Sequence, residues 1–314
     1  MNRRSAMLKL LAAGAGFVSR SQAVAPEKIE DDNSFVLRSE VRLVLLDVAV
    51  RDRRGAFVEG LTESDFQVFE DGRRQPITVF DASDRPVTVG LLVDESRSMT
   101  PKRDVILAAA EIFVRQSNPK DEVFVLNFND RVLPGLPAGT PFSDNLATLR
   151  AALHRGIPEG RTALNDAVME GLKHLSLGTR DRKALIVISD GGDNASKHKR
   201  AEVLDSVTKS LATIYAIGLY DEEDADRDPG IMRRFAELTG GEAYFPQNLE
   251  EMEPVCRGIA QEIRSRYTIG YIPRDGPRAV RRVQVRASSP GHRGKLTVHT
   301  RSSYRYDTNE PKKG

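Results

Sequence analysis

The chain has 314 residues, 39% hydrophobic and 29% charged, and its 47 Lys+Arg against 45 Asp+Glu leave a net charge of +2. That composition excludes a disordered chain, a collagen-like fibre and a polytopic membrane protein, and a charge so near balance gives no general pull on nucleic acid. One cysteine, Cys256, excludes an intramolecular disulfide and a cysteine-rich zinc site.

Residues 1–23 read as an export leader. Arg3 and Arg4 open it, an apolar run from Leu10 to Val18 follows, and Ser21-Gln22-Ala23 forms a small-residue exit. The run is too short for a bilayer span, which takes ~20 apolar residues. Adjacent arginines ahead of Met7-Leu8-Lys9 resemble a twin-arginine signal, with Ala6-Met7 where that signal carries Phe-Leu; an ordinary basic leader is the alternative. Cleavage after Ala23 leaves an exported mature chain, periplasmic, cell-surface or secreted, with no stable membrane insertion.

Residues 35–83 alternate by twos through VRLVLLDVAVRD, FVEG and DFQVFEDGRRQPITVFDA, with Asp71-Gly72 as a hairpin signal. From Val87 the pattern changes. VTVGLLVD (87–94) is a continuous apolar run, as for a strand buried on both faces. Residues 101–116 have helical apolar spacing with Pro101 in the first turn. EVFVLNF (122–128) is a strand, and 145–156 and 163–175 are amphipathic helices. KALIVIS (183–189) and TIYAIGLY (213–220) are further buried strands. MRRFAELTGG (232–241) is a helix stopped by glycines, EAYF (242–245) a short strand, and 249–266 a long closing helix. Such alternation predicts a doubly wound α/β fold over residues 85–266, a mostly parallel sheet with helices on both faces.

Residues 267–305 return to strands in YTIGYIP, RRVQVRAS and KLTVHTRSSY. Each flank offers about three strands, marginal for a free-standing sheet. The economical arrangement joins 35–83 and 267–305 in one β-sandwich, with the α/β domain inserted between them. Two separate β-units, or strands extending the central sheet, are the alternatives. Residues 306–314 form a polar tail expected to be disordered.

Ligands of open α/β sheets bind beyond the carboxyl ends of the strands. The run at 87–94 ends in Asp94, followed by Ser96 and Ser98 at spacings of two in a tight turn. The run at 183–189 is followed by Asp190-Gly191-Gly192-Asp193, and Gly160-Arg161-Thr162 precedes the helix at Ala163. Three hydroxyls and two carboxylates are hard oxygen donors, suited to Mg²⁺, Mn²⁺ or Ca²⁺ and not to zinc. Helix capping by Asp94 and Asp190 alone leaves Ser96, Ser98 and Thr162 unexplained.

These residues resemble the metal-ion-dependent adhesion site (MIDAS) of the von Willebrand factor A family. Its signature is an Asp-x-Ser-x-Ser loop, a distant Thr and a later Asp-Gly, here Asp94/Ser96/Ser98, Thr162 and Asp190-Gly191. The resemblance covers residues 87–266. The flanks, with Leu61-Thr62-x-x-Asp65-Phe66 and Glu70-Asp71-Gly72 before and Tyr267 to Tyr271 after, are similar to a bacterial group of exported proteins with related A domains. The resemblance implies a metal, Mg²⁺ or else Mn²⁺ or Ca²⁺, at Asp94, Ser96, Ser98, Thr162 and Asp190. It implies direct or water-bridged hydroxyl ligands, carboxylates acting largely through water, and an open position for an Asp or Glu carboxylate of a protein partner. It also implies a shift of the closing helix with occupancy. The family's Gly before the last Ser is Arg97 here, and its Thr or Ser after the first Asp is Glu95. These departures are expected to set a cation and an extra carboxylate beside the metal.

The expected function is a non-enzymatic, metal-dependent protein-binding module for adhesion or assembly, without a nucleic-acid partner. The alternative is a metal-dependent phosphoryl-transfer enzyme using Asp94 as nucleophile. That chemistry wants a second carboxylate two residues on as acid/base, where this chain has Ser96. Asp224, Asp226 and Asp228 open like a calcium loop, but Pro229 takes the position that needs glycine. The five histidines lack metal spacing, and neither GxxxxGK[ST] nor GxSxG occurs. The basic run Lys197 to Arg200 reads as a solvated helix start or as an attractor of an acidic partner.

Overall fold

Alternation in Val44–Arg51 makes strand β1, with Leu46, Val48 and Val50 buried on one side. The computed structural model describes residues 43–306 apart from 117, 221–226, 275, 277 and 292–293. The leader at 1–23, Asp224 and Asp226 of the acidic loop, and residues 307–314 of the tail lie outside the described residues; Tyr306, expected to open the disordered tail, is instead buried, its N–H donating to the Ala279 carbonyl at 2.7 Å. A 3-10 turn at Glu63–Asp65 leads into β2 (Phe66–Glu70), and Asp71-Gly72 turns the chain into β3 (Arg73–Gln75). Asp71 and Gly72 have φ of 47° and 80°, the paired left-handed conformation whose twist suits a two-residue hairpin. β4 (Val79–Asp81) follows. FVEG forms no strand; Phe57 makes an isolated bridge to Arg51.

β5 (Val87–Asp94) is buried at every position. A 3-10 turn at Arg97–Lys102 precedes α1 (Arg103–Gln116), then come β6 (Glu122–Phe128), β7 (Val132–Pro134), α2 (Leu146–Leu153) and α3 (Leu164–Leu175). β8 (Arg182–Ser189), α4 (Arg200–Lys209), β9 (Thr213–Gly218), α5 (Pro229–Thr239), β10 (Ala243–Tyr244) and α6 (Leu249–Arg264) complete the unit. The strand order is β10-β9-β8-β5-β6-β7. All pairs are parallel except β7, which runs antiparallel to β6 at the edge. α1 packs with α2 and α6 on one face, and α4 with α3 and α5 on the other.

β11 (Tyr267–Tyr271), β12 (Val280–Ala287), β13 (Thr297–His299) and β14 (Ser303–Arg305) pair with the N-terminal strands. Two four-stranded sheets result, β13-β1-β11-β4 and β14-β12-β2-β3. Each mixes strands from both ends of the chain, and Leu46, Val68, Tyr267, Ile269 and Val285 share one core between them. The stretch KLTVHTRSSY, expected as one strand, is divided between β13 and β14, which join different sheets.

The sandwich attaches at the N-terminal edge of the parallel sheet. Arg182, the first residue of β8, donates to the Arg266 carbonyl at 2.8 Å and to Thr268 Oγ1 at 3.1 Å, and Arg266 donates to the Asp47 carbonyl at 3.1 Å. Eight-residue β5 starts at this edge and carries Asp94 to the opposite one, ~23 Å away at the usual strand rise.

Candidate metal centre

Asp94 closes β5 and Asp190 follows β8, which is its neighbour in the sheet. From β5 the chain crosses through α1 to β6 on one side; from β8 it crosses through α4 to β9 on the other. The crevice between their carboxyl ends is therefore a topological switch point, where open α/β sheets place ligands.

Local bonds shape the loop. Ser96 N–H donates to Asp94 Oδ1 at 2.9 Å, Glu95 N–H to the Phe128 carbonyl at 2.7 Å, and Met99, 1% exposed, anchors the following turn. Ser96 Oγ and Ser98 Oγ lie 3.1 Å apart, and Ser98 Oγ donates to Asp190 Oδ2 at 2.6 Å. Ser189 Oγ donates to Asp94 Oδ2 at 2.6 Å and accepts from Gly191 N–H at 3.0 Å. Gly192 N–H donates to Asp190 Oδ1 at 2.9 Å. Gly191 has φ of 83°, and a Cβ there would stand 2.4 Å from the Asp228 carbonyl oxygen. Glycine is thus required for the chain to turn beneath Asp190.

Hydrogen bonds join Asp94, Ser96, Ser98 and Asp190 into one cluster. Thr162 comes to it through its loop. Arg97 N–H donates to the Gly160 carbonyl at 3.3 Å, Glu159 N–H to the Glu95 carbonyl at 2.9 Å, and Asn194 N–H to the Thr162 carbonyl at 3.0 Å. Thr162 N–H in turn donates to Asn194 Oδ1 at 3.0 Å. Ser189 is a member of the cluster that sequence reasoning did not assign; its place directly before Asp190-Gly191 was the available signal.

Burial first, and then the negative charge of Asp190, push the Asp94 carboxyl up to about 7, against the Ser189 hydroxyl and the Ser96 donors. Among the described residues no lysine or arginine pairs with Asp94. Two carboxylates held together with hydroxyls around them fit a small hard cation, which would relieve their repulsion. No group of three or more His, Cys, Asp or Glu side chains with ligand spacing occurs among the described residues, so any ion here depends on the hydroxyls.

Glu95 departs from expectation. Its side chain turns away from the cluster, 3% exposed, and pairs with Arg103 Nε at 3.1 Å. Arg103 Nη2 also donates to the Gly156 carbonyl at 2.6 Å, and Glu95 Oε1 is buried without a partner. The extra carboxylate lies under the loop because Gly156 has no side chain to exclude it. The Arg97 side chain is exposed. In the basic run, Lys197 and His198 donate their main-chain N–H groups to Asp166, and Arg200 pairs with Asp228.

Residues 89–192 match the family model of the von Willebrand factor type A domain. That stretch is therefore a domain of this type. No curated protein matches the chain. Among solved structures the chain is similar to a von Willebrand factor type A protein from Catenulispora acidiphila, 14% identical, with 78% of this chain and 74% of that one covered and a TM-score of 0.51. That likeness is one of fold. It is also similar to an aerotolerance-related membrane protein from Bacteroides fragilis, 18% identical, 56% and 98% covered, TM-score 0.46. A third is the von Willebrand factor domain of a type V pili tip protein from Porphyromonas gingivalis, 11% identical, 63% and 99% covered, TM-score 0.45.

Proposed function

We propose that the chain is an exported, non-enzymatic protein-binding module that works through a divalent cation. The ion is Mg²⁺, or Mn²⁺ or Ca²⁺ in its place, held by Asp94, Ser96, Ser98, Thr162 and Asp190. The observation that carries this reading is the hydrogen-bonded set Asp94, Ser189, Ser96, Ser98 and Asp190, two buried carboxylates with hydroxyls between them and no protein cation on Asp94. The bound ion would supply Lewis acidity. The chain's part would be to supply three hydroxyls and two carboxylates to it. A site so poor in direct anionic ligands favours one more carboxylate, an Asp or Glu presented by a partner protein. The apolar leader at 1–23 supports export, to the periplasm, the cell surface or the medium. Phosphoryl transfer through Asp94 gains no support, since Ser96 stands where the acid/base carboxylate belongs.

Titrating Mg²⁺ into the purified chain tests the proposal. Binding to the native state alone contributes about 2.7 kcal/mol at a hundredfold excess over Kd, a rise in Tm of about 5 °C at this size. Asp94→Ala removes the rise, and a chelator abolishes capture of the partner. Equal stabilisation of wild type and Asp94→Ala refutes the site.

A further inference from the structure

The sheet β14-β12-β2-β3 turns one face to the sandwich core and leaves the other open. Along β12, Arg281, Val283 and Val285 are buried, while Arg282, Gln284 and Arg286 are exposed. Register sets Gln284 opposite Phe69, and Phe69 opposite Arg74. Arg74, Phe69 and Gln284 thus form a row across three strands, midway between Arg282 and Arg286. At standard spacings Arg282 and Arg286 are ~13 Å apart along β12, and Arg74 stands ~10 Å across from that strand. The Arg286 guanidinium lies 4.8 Å from the half-buried Phe69 ring, and Val280, 52% exposed, ends the same face.

Among the described residues, no carboxylate pairs with Arg74, Arg282 or Arg286. Asp71, which accepts from the Arg282 main chain, has its carboxylate on Arg278 at 3.3 Å. Arg305 at the β14 edge is engaged by Asp205 of α4. The face therefore presents a triangle of guanidiniums without a carboxylate partner around a phenyl ring; Arg286 Nη2 donates to neutral Gln284 Oε1 at 3.2 Å, and Gln67 is exposed beside them.

We propose that this face docks on an anionic phospholipid surface. The guanidiniums are spread in two dimensions on a flat sheet, which matches a planar array of charged headgroups; a single linear polyanion would be met by a row. The spacing exceeds what one small anion can bridge. Phe69 and Val280 supply the apolar contact that interfacial surfaces use beside arginine. No helix among the described residues is long and apolar enough to cross a membrane, so the contact is peripheral.

Co-sedimentation tests this with residues 24–314, which keep the compact unit Val41–Gly314 and drop the apolar leader whose own affinity would mask the effect. The protein is expected to bind phosphatidylcholine vesicles carrying about 30 mol% phosphatidylglycerol, to ignore pure phosphatidylcholine vesicles, and to release as salt rises. Arg74→Gln, Arg282→Gln and Arg286→Gln each lower the partition coefficient about fivefold, and the triple variant about a hundredfold. Arg257→Gln, exposed on α6, leaves it unchanged, and melting curves verify that every variant is folded. Equal partition of wild type and the triple variant overturns the proposal. Retention by soluble poly-glutamate and not by anionic vesicles, which an acidic protein partner would give, overturns it as well.

Discussion

Glu262 is the charge on which the joint between the two domains depends. It sits in the last turn of α6 with 0% exposure and accepts from Arg51 of β1, from Arg266 Nη2 at 2.5 Å and from the Tyr215 hydroxyl of β9 at 2.9 Å. Burial alone would raise its pKa; the charges of Arg266 and Arg51 outweigh burial and hold the carboxyl below its usual range. Glu262→Gln keeps the shape and removes the charge, leaving the buried Arg266 guanidinium without its carboxylate. Arg266 is 3% exposed and cannot shed its proton. Breaking a buried pair costs about 3–5 kcal/mol. Arg51 keeps Glu242 at 2.9 Å as a second partner, so the lower end applies, ~3 kcal/mol, or a fall in Tm of about 6 °C at this size. A group whose folded pKa is depressed contributes stability that is present above its unfolded pKa and lost as pH falls through the folded value. The gap between wild type and Glu262→Gln in urea unfolding should therefore be full at pH 7 and shrink below about pH 4.5. A gap under ~1 kcal/mol at pH 7, or one that is the same at pH 3.5, refutes the reasoning.

Two further substitutions probe packing beneath the candidate site. A Cβ at Gly156 would stand 2.3 Å from Glu95 Oε1, so Gly156→Ala should cost about 1–3 kcal/mol; combined with Arg103→Ala, which also frees Glu95, it should cost less than the sum in a denaturation cycle. At Gly90 a Cβ would meet Phe124 Cζ at 2.3 Å and Leu185 Cδ1 at 2.7 Å across neighbouring strands, so Gly90→Ala should lower stability by about 1–3 kcal/mol, read as a fall in Tm.

The parallel sheet was legible because its strands are buried on both faces, and continuous apolar runs such as 87–94 and 183–189 have few other uses. Asp71-Gly72 was legible because the turn demands two positive φ angles. β7 and α4 were not legible. Val132–Pro134 is three residues with a proline, tolerable only at an edge, and α4 buries only Val203 and Val207, too thin a stripe to show helical periodicity. That Asp94, Ser96, Ser98 and Asp190 gather at one point was readable from strand ends, since strand termini and spacing by two are local facts. The orientation of Glu95 was not, because Gly156 and Arg103, which decide it, lie 61 and 8 residues along the chain. The charges of the joint were hidden for the same reason. Arg182, Arg266 and Glu262 look like ordinary helix-end and strand-start residues until the flanks fold back.

The Glu95 pair also bears on how the loop from Asp94 to Ser98 is held. Glu95 follows Asp94 directly, Arg103 is the first residue of α1, and Gly156 precedes the segment that carries Thr162. The ion pair and the bond from Arg103 to the Gly156 carbonyl tie these three pieces beneath the loop, while Glu159 N–H to the Glu95 carbonyl ties them along it. Both hydroxyl-bearing loops are thus fixed to one helix start by the protein's own charges. Ordering a loop costs about 1–2 kcal/mol per residue in backbone entropy, and a loop already ordered spares a ligand that cost. A carboxylate at this position is therefore consistent with a ready-made site, with its negative charge spent on Arg103 below the loop instead of competing above it.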